Sequence, residues 1–136
     1  MERKLTVREF MGASLVTFNP GQEIKDAIQV LLEHKLSGSP VVDNRGNMVG
    51  YLSEKDCLKV ALNAAYHDSW GGKVSDFMNP HVTSVDLDAS MIEIAEMFVN
   101  KPYKRLPVVK DNRLVGQIHR RDVLRALLVA WSKWGH

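Results

Sequence analysis

The feature that most constrains this chain is that it is written twice. Val-Arg-Glu-Phe-Met at Val7 to Met11 returns as Val-Ser-Asp-Phe-Met at Val74 to Met78, 67 residues on. Leu15-Val16-Thr17 is answered by His81-Val82-Thr83 at a spacing of 66. Ser39 to Val42 (Ser-Pro-Val-Val) returns as Leu106 to Val109 (Leu-Pro-Val-Val) at 67, and Val49 to Asp56 returns as Val115 to Asp122 at 66. Four anchors in one order make two copies of a single supersecondary unit. Half of a 136-residue chain buries too little surface to be secure alone. Each copy therefore needs the other as its cover.

Within each copy the pattern alternates between strand and helix. Ile24, Ala27, Ile28, Leu31, Leu32 and Leu36 fall at helical spacing and form one apolar stripe, with Glu33, His34 and Lys35 mostly off it. The counterpart stripe is Met91, Ile94, Ala95, Phe98 and Val99, opened by Ser90-Met91-Ile92-Glu93, a capping-box pattern. Each stripe is followed by a hairpin. The first runs from Pro40-Val41-Val42 through a turn at Asp43 to Asn47 into Met48 to Leu52. The second runs from Pro107-Val108-Val109 through Lys110 to Arg113 into Leu114 to Ile118. A longer helix closes each copy, from near Ser53 to about Ala65, and from near His119 through Val123, Leu124, Leu127, Leu128 and Trp131. With a short leading strand at Val16-Thr17 and again at Val82-Thr83, each copy reads strand–helix–strand–strand–helix. The expected fold is α+β: two small sheets flanked by helices, related by a pseudo-twofold axis. The division is expected at residues 1–68 and 69–136, with Gly71 and Gly72 turning the chain into the second copy.

Composition narrows the function. Eighteen Lys and Arg against 16 Asp and Glu leave a net charge of +2, which gives no case for general nucleic-acid binding. The single cysteine, Cys57, has no partner within the chain, fits a reducing compartment, and reads as a core residue just inside a helix. No stretch approaches the roughly 20 apolar residues of a membrane span, and no signal-peptide run opens the chain. A cytoplasmic, soluble protein with no membrane partner is expected. The five histidines form no H-x-x-x-H pair or Cys/His cluster, so no metal is expected. No nucleophile elbow, phosphate-loop glycine run or paired carboxylates occur, so no enzyme is expected.

The order of apolar strand with Thr, helix, Ser-Pro-Val-Val or Leu-Pro-Val-Val, glycine-led strand and Gly-h-h-Ser/Thr-x-x-Asp (h, hydrophobic) resembles a pair of CBS domains, a Bateman module. The resemblance covers about residues 5 to 130, leaves no room for a catalytic domain, and suggests a stand-alone module. It implies a regulatory protein that binds an adenosine-containing ligand (AMP, ADP or ATP foremost, or NAD or S-adenosylmethionine) in clefts between the paired motifs. It also implies a homodimer and an unnamed client protein. Tyr66, Trp70, Trp131 and Trp134 are the aromatics expected at the dimer contact.

The residues support such a ligand on their own terms. Ser53 opens a helix, whose unpaired N–H groups and partial positive charge suit a phosphate, and Asp56 offers acceptors for ribose hydroxyls. The competing reading is that Ser-x-x-Asp only caps the helix. Gly50 is expected for close backbone packing, and Met11 and Met78 for packing at the interface of the copies. By the resemblance, the main cleft combines Ser53 and Asp56 with Val82, Thr83, Val85, Lys104, Arg105 and Pro107, Arg105 reaching phosphate. The second cleft combines His119 and Asp122 with Val16, Thr17, Ser37, Gly38, Ser39 and Pro40. His119 stands where serine or threonine is expected, and Arg120 and Arg121 oppose the helix dipole. The cleft with Asp56 is expected to be the better one. The alternative function is a structural dimerisation module whose clefts are filled by its own side chains, such as His119 and Phe18.

Overall fold

A computed structural model of the chain describes residues 5–13, 15–67 and 71–133. It contains two small sheets flanked by helices, the α+β architecture expected from the repeat. No helix among the described residues is long and apolar enough to cross a membrane.

The chain condenses into two compact units. One unit is Val16–Val82; the other joins the segment up to Leu15 to the segment from Thr83 onward. The lead-in of each repeat is thus built into the hairpin unit of the other repeat.

In the unit Val16–Val82, helix α2 (Ile24–Glu33) leads to strands β1 (Gly38–Val42) and β2 (Met48–Ser53), then to α3 (Glu54–His67) and the short α4 (Val74–Phe77). The strands pair antiparallel, with Gly38 opposite Ser53 and a bulge at Val41/Val42. Their turn is held by Asp43, whose Oδ1 accepts from the N–H groups of Arg45 (2.9 Å) and Asn47 (3.0 Å), while Gly46 supplies φ +84. The core is Phe18, Ile24, Ala27, Leu31, Val41, Leu52, Cys57, Val60 and Val74. Helix α2 ends with Lys35 at φ 54 and the Leu36 N–H on the Leu31 carbonyl at 2.9 Å, a Schellman-type closure with lysine in the left-handed position. The leading strand expected at Val16-Thr17 is reduced to one parallel bridge, Phe18 to Val41.

In the other unit, α1 (Val7–Phe10) packs on α6 (Arg120–Lys133), and α5 (Met91–Asn100) covers the same helix. The sheet has the order β3-β4-β5, with β3 (Val85–Asp86) parallel to β4 (Arg105–Lys110), and β4 antiparallel to β5 (Arg113–His119). Asp111 and Asn112 both take positive φ, the two-residue turn that matches strand twist. Ser90 caps α5, its Oγ accepting the Glu93 N–H at 3.1 Å, as its sequence pattern predicts. The core is Val7, Val85, Leu87, Met91, Ile94, Phe98, Leu106, Val108, Ile118, Val123 and Ala126.

Glycine and methionine explain how each lead-in docks. A Cβ on Gly50 would lie 2.5 Å from Met78 Sδ, and one on Gly116 would lie 2.6 Å from Met11 Sδ. Beside each contact two backbone bonds close a one-residue ladder: Tyr51 with Asn79, and Gln117 with Gly12, at 2.9–3.0 Å. Gly50 therefore serves close packing, as expected. Each methionine packs on the glycine of the other repeat's hairpin.

The apolar stripes are narrower than the spacing predicts. Leu32 and Val99, counted on the stripes of α2 and α5, are exposed, as are Leu124, Leu128 and Trp131 on α6. Helical periodicity identifies an apolar residue, but only Ile24, Ala27 and Leu31 of α2 and Met91, Ile94 and Phe98 of α5 are buried.

Candidate functional site

Strand β2 ends at Ser53, and α3 begins at the next residue, so Ser53 stands at the helix N-terminus. The Asp56 N–H donates to Ser53 Oγ at 3.1 Å. In return Asp56 Oδ2 accepts the Ser53 N–H at 2.9 Å and the Ser53 hydroxyl at 2.8 Å. The capping interpretation is thus realised in full. It uses only one carboxylate oxygen. Asp56 is half-buried, and its Oδ1 takes no bond from any described residue.

Across the hairpin, Gly38 pairs with Ser53, and the Glu54 N–H donates to the Ser37 carbonyl at 2.9 Å. Ser37, Gly38, Ser39 and Pro40 therefore lie along the same end of the unit as Ser53 and Asp56. Ser37 is exposed; Ser39 and Pro40 are buried. The space that Gly38 leaves is filled by the chain itself, since a Cβ there would meet the Tyr51 ring at 2.5 Å and the Leu52 carbonyl at 2.9 Å. Val16 is half-buried against the core and Thr17 is exposed. Val82, half-buried, closes this unit.

The other unit repeats the hairpin end with different side chains. Arg105 pairs with His119 across β4 and β5, and the Arg120 N–H reaches the Lys104 carbonyl at 3.4 Å. The backbone thus places Lys104 and Arg105 beside His119 and Arg120, where the first unit has Ser37 and Gly38. The Asp122 Oδ2 accepts the His119 N–H at 2.8 Å, and His119 Nδ1 lies 3.4 Å from it. Its Oδ1 accepts from the Arg125 guanidinium at 2.9 Å. Both oxygens of this acid are occupied.

Thr83 is exposed, and its hydroxyl accepts from the Tyr103 phenol at 3.0 Å. Val85 is buried in the core and Pro107 is buried in β4. Tyr51, Tyr103 and Arg125 are the neighbours that the sequence reading missed. The Asp122–Arg125 pair had a readable signal in its i,i+3 spacing on a helix. The two tyrosines had none, because their contacts depend on the hairpin and a loop.

Cys57, one residue past Asp56, is buried. Burial, with the charges of Asp56 and Glu54 adding to it, pushes its thiol up to about 11. It stays protonated and inert at neutral pH.

Two hairpin-and-helix units, each with an acid three residues into its closing helix, define a tandem-repeat architecture. The CBS domain model matches the chain twice, at residues 7–63 and 74–129, and the chain belongs to that family. It is similar to the crystal structure of the CBS-pair protein CBSX2 from Arabidopsis thaliana, with a TM-score of 0.78 and 29% identity over 96% of this chain and 99% of that one. A structure of CBSX2 in complex with AMP gives 0.75 and 30% identity over 91% of this chain and 96% of that one. Among curated proteins, MJ1225 of Methanocaldococcus jannaschii is 25% identical over 93% of this chain and 44% of its own length. The A-adding tRNA nucleotidyltransferase of Aquifex aeolicus is 32% identical over 91% of this chain and 14% of its own length. The chain thus spans less than half of these two relatives.

Proposed function

We propose that this chain is a regulatory, non-catalytic module that binds an adenosine-containing nucleotide, with Asp56 as the principal ribose acceptor. One observation carries the reading: the cap spends Asp56 Oδ2 and leaves Oδ1 open at the start of α3. The AMP complex of the similar CBSX2 supports the ligand class. A ligand that favours one geometry of the module shifts its population, and a client protein reads the change.

The test is thermal melting of the chain with AMP, ADP, ATP, NAD and S-adenosylmethionine in turn. Ligand at 100 times its Kd raises the melting temperature by roughly 5–10 °C. Asp56→Ala is expected to remove most of that rise, leaving only what Asp122 supports. If none of the five shifts the melt, or if Asp56→Ala keeps the full shift, the reading fails. The first outcome favours the ligand-free dimerisation module, which already has its Ser53–Asp56 cap satisfied.

The proposed assembly is a homodimer. Leu58 and Leu62 on α3 recur at the repeat spacing as Leu124 and Leu128 on α6, each more than half exposed. A second copy presents the same leucines, so one pattern can cover itself by symmetry. Tyr66 and Trp131 are also exposed. Trp70 and Trp134, expected at the same contact, lie outside the described residues. Light scattering of Leu58→Glu/Leu124→Glu is expected to show a monomer where the parent is a dimer; an unchanged mass rules out these faces.

A further inference from the structure

The two acids occupy equivalent places in the repeat, yet they differ at one oxygen. In both, Oδ2 caps the closing helix by accepting the N–H three residues earlier, from Ser53 or from His119. His119 differs from Ser53 in its side chain, but its ring nitrogen also faces Oδ2, at 3.4 Å. The hydrogen bonding of the two acids parts at Oδ1. On Asp122 it is held by Arg125 at 2.9 Å. On Asp56 the matching position, three residues on, is Lys59, which makes no ion pair among the described residues.

We propose that Arg125 is the specificity-determining residue that ranks the two acids, occupying Asp122 Oδ1 so that a nucleotide's ribose engages Asp56 first. The inference rests on the nucleotide reading above. Chemistry favours the restraint: a planar guanidinium makes a fixed, directional bond to a carboxylate, whereas a lysine ammonium is a mobile, strongly hydrated charge. A ribose hydroxyl arriving at Asp122 must share or displace that guanidinium. At Asp56 it meets an open acceptor. The Asp122 side chain is mostly buried and Arg125 mostly exposed, so the restraint is modest and removable.

The experiment titrates the full chain with AMP and, separately, with uncharged adenosine by calorimetry. Asp56→Ala isolates whatever binding Asp122 supports, and Asp56→Ala/Arg125→Ala releases Oδ1. The double variant is expected to bind both probes about two- to fivefold more tightly than Asp56→Ala, the range open to a half-exposed ion pair. The converse change, Lys59→Arg in the parent chain, is expected to weaken the main site by a similar factor. Binding by the double variant that is undetectable, unchanged or weaker overturns the proposal, as does unchanged or tighter binding by Lys59→Arg. Weakening for AMP but not adenosine would make Arg125 a phosphate contact, which also overturns it. If the parent chain binds neither probe, the nucleotide reading itself falls and takes this one with it. Circular dichroism confirms that each variant is folded.

Discussion

Gly116→Ala should damage the chain more than Gly50→Ala, although the two glycines are equivalent in the repeat. A Cβ at Gly116 would lie 2.7 Å from the Gly12 carbonyl oxygen, a backbone atom, and 2.6 Å from Met11 Sδ. Ordinary contact begins at 3.4 Å, so the Gly12 segment must retreat by about 0.7 Å. That segment is tied to Gln117 by two backbone bonds of 2.9 Å each, which the retreat stretches or breaks. Overpacking costs about 1–3 kcal/mol, and each weakened bond adds up to about 1 kcal/mol. Against this, alanine restricts the unfolded chain and returns about 0.4–1 kcal/mol. The net loss for Gly116→Ala is about 2–4 kcal/mol. At Gly50 the nearest backbone atom, the Asn79 oxygen, is 3.1 Å away, and the closer contact is the flexible Met78 side chain. The net loss there is about 1 kcal/mol. Urea unfolding followed by circular dichroism measures both. Thermal midpoints should differ by roughly 4–8 °C. Met11→Ala added to Gly116→Ala should recover only part of the loss, since the backbone clash remains. Equal losses at the two glycines, or full recovery by Met11→Ala, would refute the reasoning.

Lys35→Gly should stabilise the chain by about 0.5–1 kcal/mol, because lysine there holds a left-handed conformation that costs a side-chain-bearing residue about 1–2 kcal/mol; a lower urea midpoint would count against it. Cys57 should react with a thiol reagent at pH 8 far more slowly in the folded chain than in urea, and equal rates would contradict its burial. Burial first, and the Asp56 and Glu54 charges next, raise this thiol in the fold to about 11, so folding favours its protonated form. The resulting stability is fully present below the unfolded thiol's value of about 8.5 and fades as pH rises toward 11. The melting temperature should therefore fall less steeply over that interval in Cys57→Ala than in the parent.

Much of the fold was legible because the repeat duplicates buried positions and not merely patterns. Val7 and Val74, Ala27 and Ile94, Val41 and Val108, Leu52 and Ile118, and Val60 and Ala126 are matched pairs, and all are buried. Two things were not legible. Local sequence gives a lead-in segment its shape but says nothing of which hairpin it docks on. The exchange seen at Met11 and Met78 needed the three-dimensional path. Nor does helical spacing separate a residue covered by its own unit from one left facing outward, so Leu32 and Val99 were counted with Leu31 and Phe98.

The same distinction governs the site. Sequence left Ser53 and Asp56 with two readings, a cap and a ligand contact, because both need the same residue types at the same spacing. The structure realises the cap through one carboxylate oxygen. The cap consumes Oδ2, in Asp56 and in Asp122 alike, so the fold by itself accounts for an acid at this place in both copies. Its duplication is then no argument for two equal sites. On the proposed reading the ligand chemistry resides in Oδ1, which Arg125 holds in Asp122 and which no described residue holds in Asp56. A helix cap alone can therefore keep the acid in both copies, whether or not each copy binds a ligand.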